Sequence, residues 1–538
     1  MNCGVRGRLL LATLVLLSVG LWSGQSSRAE VASNPTIAKA TYQLGRLTFH
    51  PCSLRQPRSG MATRAWCAPF TVPENWSKPQ GSRIHLRLAL IRSRAVRPNP
   101  DPVVYLAGGP GQSAINTYYE LAPALHGLLD HRNIILLDQR GTGGSAALSC
   151  PVAEAAEKKA AEADAKATSQ VPAGRTGEDK PQAAQQTTAA GLQDLSKIRA
   201  QTRACLAEIS KKFDPRDFTT TQAVHDLQAL RQALGDVPFN LIGVSYGTRV
   251  AQQYMMRYPQ GVRSVVLDSV VPNPVILGSE FAFNLDAALQ KDFALCTAES
   301  ACRKAFGNPW TTLQRLKARL TRHPVEVRFP EPLQFAEQRQ TLTAARLVGL
   351  VRLYAYSPLT AALLPLILHA AAEGRYGPLL AQSDLLSNDL STSINSGMQL
   401  AVICSEDAPA LKPNPAAAAT LLGNGFVRQL LAECAIWPHG AVPKDFHQPL
   451  RSKTPVLILE GQFDPVTPPR YGREVLAGLP NGRLLIAKGQ GHNVIGAGCL
   501  PSLVAKFVMT ADAKTLDAQC LDALGPTPPF LNYNGAGP

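Results

Sequence analysis

The stretch Phe239-Asn240-Leu241-Ile242-Gly243-Val244-Ser245-Tyr246-Gly247 decides how the rest of the chain is read. An apolar run, Phe239–Ile242, leads into G-x-S-x-G, and the amphipathic run Thr248–Tyr258 follows. A buried strand, a sharp turn and a helix in that order form a nucleophile elbow. The turn strains its central residue, and the glycines two positions either side leave space for it. Ser245 is thereby predicted to stand alone above a sheet at the positive end of a helix.

Working outward, short apolar runs alternate with helical patterns. Pro102–Leu106, Asn133–Leu137, Val262–Val271, Pro455–Glu460 and Arg483–Ile486 read as further strands, and Thr219–Leu234 as a helix ended by Gly235. Arg83–Ile91 alternates polar and apolar residues, which marks a strand of an antiparallel lead-in. Alternation of strand and helix predicts an α/β fold with a mostly parallel central sheet and helices on both faces. Residues 272–450 break the rhythm and read as an inserted helical lid above the carboxyl edge of the sheet. Leu359–Ala372 is apolar but holds Pro365 and His369, so it reads as a buried helix and not a membrane span. The core is then expected in two pieces, 30–271 and 451–538. The first carries a low-complexity insertion over about 153–200, rich in Ala, Lys, Glu, Gln and Thr, with PAGRTGEDKPQ as its disordered middle.

Residues 1–29 have the form of a signal peptide. Arg6 and Arg8 precede the apolar stretch Leu9–Trp22, and Ser27-Arg28-Ala29 supplies small residues at a cleavage site. No cysteine lies near that site, so no stable membrane anchor is expected after cleavage, and the location is secreted or periplasmic. Of eleven cysteines, Cys3 lies in the leader. The remaining ten suit an oxidising compartment. Sequence does not determine their connectivity. Pairing of neighbours, Cys52–Cys67, Cys150–Cys205, Cys296–Cys302, Cys404–Cys434 and Cys499–Cys520, is one consistent arrangement.

The chain is basic, with 54 Lys and Arg against 39 Asp and Glu. Its basic residues are scattered and not interleaved with aromatics, which argues against a nucleic-acid partner. There is no tight Cys-x-x-Cys or His-x-x-x-His spacing and no dinucleotide fingerprint, so no metal or other cofactor is expected.

A serine hydroxyl needs a base in contact with it, and the base needs an orienting acid. In this architecture the chain order is Ser, then an acid, then His. Asp464 lies just past the strand Val456–Leu459. His492, in Gly489-Gln490-Gly491-His492-Asn493, is the only histidine after it. Asp268, which ends the strand after the elbow, is a rival acid, whereas Glu460 reads as a packing or salt-bridge residue. Ala107-Gly108-Gly109-Pro110-Gly111 has no side chains to block a ligand, and Pro110 has no N–H. The oxyanion donors are therefore expected to be the N–H groups of Gly109 and Tyr246. Asp138 and Arg140, after the second strand, are expected to brace the neighbouring glycine-rich loop.

Together GGPGQSA, DQRGTGGS, TTTQAVHDLQALRQALG, GVSYGTR, GQFDPVTPP and GQGHNV resemble the exported proline iminopeptidase and tripeptidyl-aminopeptidase group of α/β-hydrolases. The resemblance covers roughly residues 40–150, 205–275 and 400–520. It implies a serine aminopeptidase acting on peptide N-termini, with Ser245 as nucleophile, Asp464 as acid and His492 as base. The family's acidic lid segment resembles Cys404-Ser405-Glu406-Asp407, which nominates Glu406 and Asp407 to receive a substrate's α-amine. The family's histidine before the GGPG run is replaced here by Ala107. The same triad would serve a carboxylesterase, and an inactive hydrolase scaffold used for binding is the non-enzymatic alternative. Dehalogenases and most epoxide hydrolases need a carboxylate where Ser245 stands. The motifs do not say how many residues are released per cut or whether proline is preferred.

Overall fold

Eight strands build the first part of the sheet: β1 (Tyr42–Leu44), β2 (Leu47–Arg55), β3 (Ala62–Pro73), β4 (Arg83–Ile91), β5 (Val103–Leu106), β6 (Ile134–Leu137), β7 (Phe239–Val244) and β8 (Val262–Asp268). A separate antiparallel hairpin, β9 (Val325–Pro330) and β10 (Glu337–Leu342), follows, and β11 (Val456–Gly461) and β12 (Gly482–Ala487) complete the main sheet. In this computed structural model the described residues are 40–55, 62–150, 183–330, 337–382 and 394–536, with side chains from 195 onward in the helix Ala183–Ile209. The expected leader, and the part of the low-complexity stretch before residue 183, lie outside them. Residues from Thr41 onward form one unit.

The ten strands lie in the order β1-β2-β3-β4-β6-β5-β7-β8-β11-β12. The pairings from β1 to β6 through β4 are antiparallel, and the five from β6 to β12 are parallel. The parallel strands are apolar because both faces are covered. Successive residues point to opposite faces. Val104, Ile135, Leu241, Val265 and Ile458 therefore enter one core, and Val103, Ile134, Ile242, Val266 and Leu457 enter the other. The helices Thr220–Ala233 and Tyr246–Arg257 cover the first face, and Ala114–Leu125 and Leu500–Thr510 cover the second.

Residues 272–450 are mainly helical, with the hairpin β9–β10 as an element the sequence pattern did not announce. Their packing divides them. Leu285 through Leu380, with Leu421, gather into a hydrophobic cluster of their own. Met398, Ala401, Val402, Cys404, Cys434 and Trp437 instead pack into the core on the elbow-helix face. Within Leu359–Ala372, Pro365 stands in the first turn of the helix Leu364–Ala372, where its missing N–H costs no hydrogen bond. Among the described residues no helix is long and apolar enough to cross a membrane. The five neighbouring cysteine pairs are each joined as a disulfide, and Cys150–Cys205 ties together the two ends of the low-complexity insertion.

Candidate active site

The carboxyl ends of β5, β7, β8, β11 and β12 carry the loops that meet here, the usual place for a site on a parallel sheet. Ser245 follows β7 directly and has φ 54° and ψ −122°, outside the regions open to ordinary L-residues. The turn closes only because its flanking residues lack Cβ atoms. A Cβ on Gly243 would lie 2.6 Å from the carbonyl oxygen of Gly247, and one on Gly247 would lie 2.1 Å from that of Leu106. The main-chain N–H of Ser245 donates to the carbonyl of Asp268 at 2.9 Å, which ties the elbow to the end of β8.

The Ser245 hydroxyl is 3.0 Å from His492 Nε2, and His492 Nδ1 is 2.7 Å from Asp464 Oδ2. A carboxylate only accepts, so Nδ1 carries the hydrogen and Nε2 is left to receive the serine proton. Asp464 is itself held. Its Oδ1 accepts the N–H groups of Val466 and Thr467 at 2.8 Å each, and its Oδ2 accepts the Thr467 hydroxyl at 2.9 Å. That arrangement can deprotonate a hydroxyl as it attacks a carbonyl carbon and return the proton to a leaving group.

The loop after β5 runs alongside. A Cβ on Gly108 would stand 3.2 Å from Ser245 Cβ, so the chain passes in tight contact with the serine. The Gly109 N–H has no main-chain acceptor among the described residues. The Tyr246 N–H is the first of its helix, with no carbonyl one turn earlier to take it. Neither amide is taken by a main-chain acceptor among the described residues.

Across these loops and strands, the α/β-hydrolase fold family model matches residues 101–496. The chain belongs to that family. Among curated relatives, Serine protease Hip1 of Mycobacterium tuberculosis (strain H37Rv) is 25% identical over 546 residues, covering 95% of this chain and 96% of the relative. Tripeptidyl aminopeptidase of Streptomyces lividans is 32% identical over 212 residues, 39% of this chain and 35% of the relative. A solved proline iminopeptidase from Mycobacterium smegmatis aligns over 82% of this chain and 97% of its own, at 15% identity and a TM-score of 0.37.

In this α/β-hydrolase the rival acid has a different task. Asp268 is fully buried, and its two oxygens accept the N–H groups of Val494 and Ile495 at 2.9 and 3.0 Å. Burial pushes its carboxyl up to about 6 against the pull of those two donors. It supports the His492 loop from below, and the Ser269 hydroxyl beside it accepts the Asn493 N–H at 2.8 Å. Glu460 is also fully buried. Among the described residues it accepts only the Val270 N–H, at 3.2 Å, and burial, reinforced by the charge of Asp464, holds its carboxyl well above the usual range.

Glu406 and Asp407 do not present open carboxylates to an amine, which corrects the nomination drawn from the acidic lid segment. Asp407 is fully buried, paired with Arg249 at 3.0 Å and accepting the Leu277 N–H at 2.9 Å. Glu406 accepts the Thr220 N–H at 2.6 Å and faces the Thr220 hydroxyl at 2.9 Å, which in turn meets the Tyr246 hydroxyl at 2.6 Å. Burial and the neighbouring Asp407 push Glu406 up to about 8, so it holds its proton at neutral pH. The helix that bears these acids packs into the core, so both side chains point into protein and not into a cleft.

Asp138 does brace the glycine-rich loop. It accepts the Ser113 hydroxyl at 2.5 Å and the Ile115 N–H at 3.0 Å, just past that loop, and the Gly144 N–H at 3.0 Å. Arg140 does not. It is fully buried and reaches Asp226 at 2.6 Å and the carbonyls of Pro73, Glu74 and Asp217. A second brace comes from Asn395, whose main-chain N–H and side-chain amide both donate to the Gly111 carbonyl, at 2.9 and 3.1 Å. It holds the loop that lacks the family's histidine at position 107. Asn395 and Thr467 were not singled out from sequence. The Asp-x-x-Thr spacing from Asp464 to Thr467 was the available signal, since such a pair folds back on its own turn.

Proposed function

We propose that this chain is a serine aminopeptidase that removes residues, or short peptides, from peptide N-termini through an acyl-enzyme on Ser245. The observation that carries the reading is the continuous hydrogen-bonded series Ser245–His492–Asp464 at a strained elbow. His492 acts as general base and then as general acid, and Asp464 holds its tautomer. The amides of Gly109 and Tyr246 stabilise the oxyanion, each such donor being worth about 3 kcal/mol of barrier. The choice of peptides over esters is supported by the relatives named serine protease and tripeptidyl aminopeptidase. Residues 272–450 act as the lid over the site, 1–29 direct export, and five disulfides suit a secreted or periplasmic location.

The deciding experiment compares the mature protein with Ser245→Ala on free-amine aminoacyl and tripeptidyl amides, their N-blocked counterparts and a short acyl ester. Cleavage of free-amine amides, lost on blocking and in the variant, is the expected result. Cleavage of the ester alone, indifferent to a free amine, would replace the reading with a carboxylesterase.

A further inference from the structure

The insertion touches the base through Tyr356. The Tyr356 carbonyl accepts the main-chain N–H of His492 at 2.8 Å, and its ring meets the imidazole edge-on with centroids 5.2 Å apart. One helical turn earlier, Arg352 reaches the Tyr356 hydroxyl at 3.5 Å. Its guanidinium lies over the rings of Phe281 and Phe426, at 5.0 and 5.1 Å from their centroids. The side chain is half-buried, and among the described residues no carboxylate pairs with it. The contrast with the fully buried Arg140 and Arg249 is direct, since each of those is bound to an aspartate.

Two neighbouring aromatic rings, their centroids 5.5 Å apart, support the guanidinium from one side and leave N–H donors at its edge. Those edge donors match the two oxygens of a carboxylate, and little side-chain freedom remains to be lost when one binds. The chemistry tells which part of a substrate lies here. When the acyl-enzyme forms, His492 passes its proton from Nε2 to the departing amine, so the departing peptide must lie against the imidazole. Tyr356 touches the imidazole, and Arg352 reaches Tyr356.

We infer that Arg352 is a specificity-determining residue that binds a carboxylate on the departing side of the substrate, with the Tyr356 hydroxyl beside it. The inference rests on the aminopeptidase reading. The carboxylate comes either from the C-terminus of a short peptide or from an acidic side chain downstream of the cut. The first source makes the enzyme favour short peptides; the second makes it favour a sequence.

The test measures kcat and KM of the wild type, Arg352→Gln and Arg352→Lys on free-amine alanine peptides. Each peptide is offered as the free acid, as the C-terminal amide, and as an amide with a glutamate just after the cut. The wild type is expected to favour the free acid or the glutamate peptide over the plain amide on the order of tenfold, mainly through KM. In Arg352→Gln that ratio collapses to near one, and Arg352→Lys restores part of it. Preference for the free acid identifies the C-terminus as the source, and preference for the glutamate peptide identifies the side chain. Equal treatment of all three peptides by the wild type overturns the inference while the aminopeptidase reading stands. So does a loss in Arg352→Gln that is the same for every peptide, because that marks a support for the insertion. Cleavage of an acyl ester but of no free-amine peptide removes the aminopeptidase reading, and the inference with it. If neither variant folds, equal treatment of all three peptides by the wild type still overturns the inference.

Discussion

Ser245 occupies a backbone conformation that costs a non-glycine residue about 1–3 kcal/mol, and the surrounding strand and helix enforce it. Ser245→Ala should therefore lose hydrolysis by about 10⁶-fold in kcat while remaining folded. Ser245→Gly should be equally inactive yet melt higher than the alanine variant, because glycine relieves the strained φ. Equal melting temperatures for the two would show that the conformation is not strained in solution. The two strand-end aspartates separate in the same way. Asp464→Asn should lower kcat about 10⁴-fold by disturbing the His492 tautomer, with a small effect on stability. Asp268 accepts a main-chain N–H on each oxygen, so an amide there turns one NH₂ toward an N–H. Asp268→Asn should chiefly lower the denaturation midpoint. A larger kcat loss in Asp268→Asn than in Asp464→Asn would exchange their roles.

At the scale of elements, the elbow helix is locked to its neighbours by close contacts and buried polar groups. Gly247→Ala places a methyl against the Leu106 carbonyl at the end of β5 and should cost about 3 kcal/mol of stability. Glu406 makes the helix interface sensitive to pH. Its folded-state pKa, about 8, lies above the ordinary value of 4.5, so the folded protein binds a proton that the unfolded chain has released. The associated stability is complete below pH 4.5 and is lost as pH rises through 8. Denaturation midpoints taken across that window should fall with rising pH in the wild type and fall less in Glu406→Gln, whose side chain cannot ionise. Parallel slopes in the two proteins would mean that Glu406 ionises normally in the fold.

Over the whole molecule, four of the five disulfides join segments outside the sheet, and Cys52–Cys67 bridges the paired strands β2 and β3. Cys404–Cys434 closes a separation of 30 residues between two helices packed on the core, and Cys296–Cys302 closes only 6. If the bridges act mainly by limiting the unfolded chain, replacing both cysteines by serine should cost about 3.5 kcal/mol at the longer loop and about 2 kcal/mol at the shorter. Urea denaturation of the two double variants checks that order. The insertion is the other molecular-scale feature. It has a hydrophobic cluster of its own, yet it touches the base through Tyr356 and the glycine-rich loop through Asn395. The site is therefore completed by residues far apart in the chain.

The sequence by itself determined whatever is written in one dimension. The strand, turn and helix around Ser245 follow from an apolar run, two glycines and a helical period. Asp464 and His492 follow from their order after it, each placed just past a strand. Neighbouring cysteines also paired as their spacing allowed. Only the tertiary structure decided between acids of similar local appearance. Asp268 ends β8 and Asp464 lies just past the adjacent β11, and the path of the His492 loop gives Asp464 the imidazole and Asp268 two main-chain amides. Glu406 and Asp407 were nominated to receive a substrate's amine, but their helix packs into the core and turns them toward Thr220 and Arg249. Arg352 had no signal at all, because its aromatic partners lie about 70 residues away on either side, at Phe281 and Phe426. The direction of a side chain depends on long-range packing, and no local pattern records it.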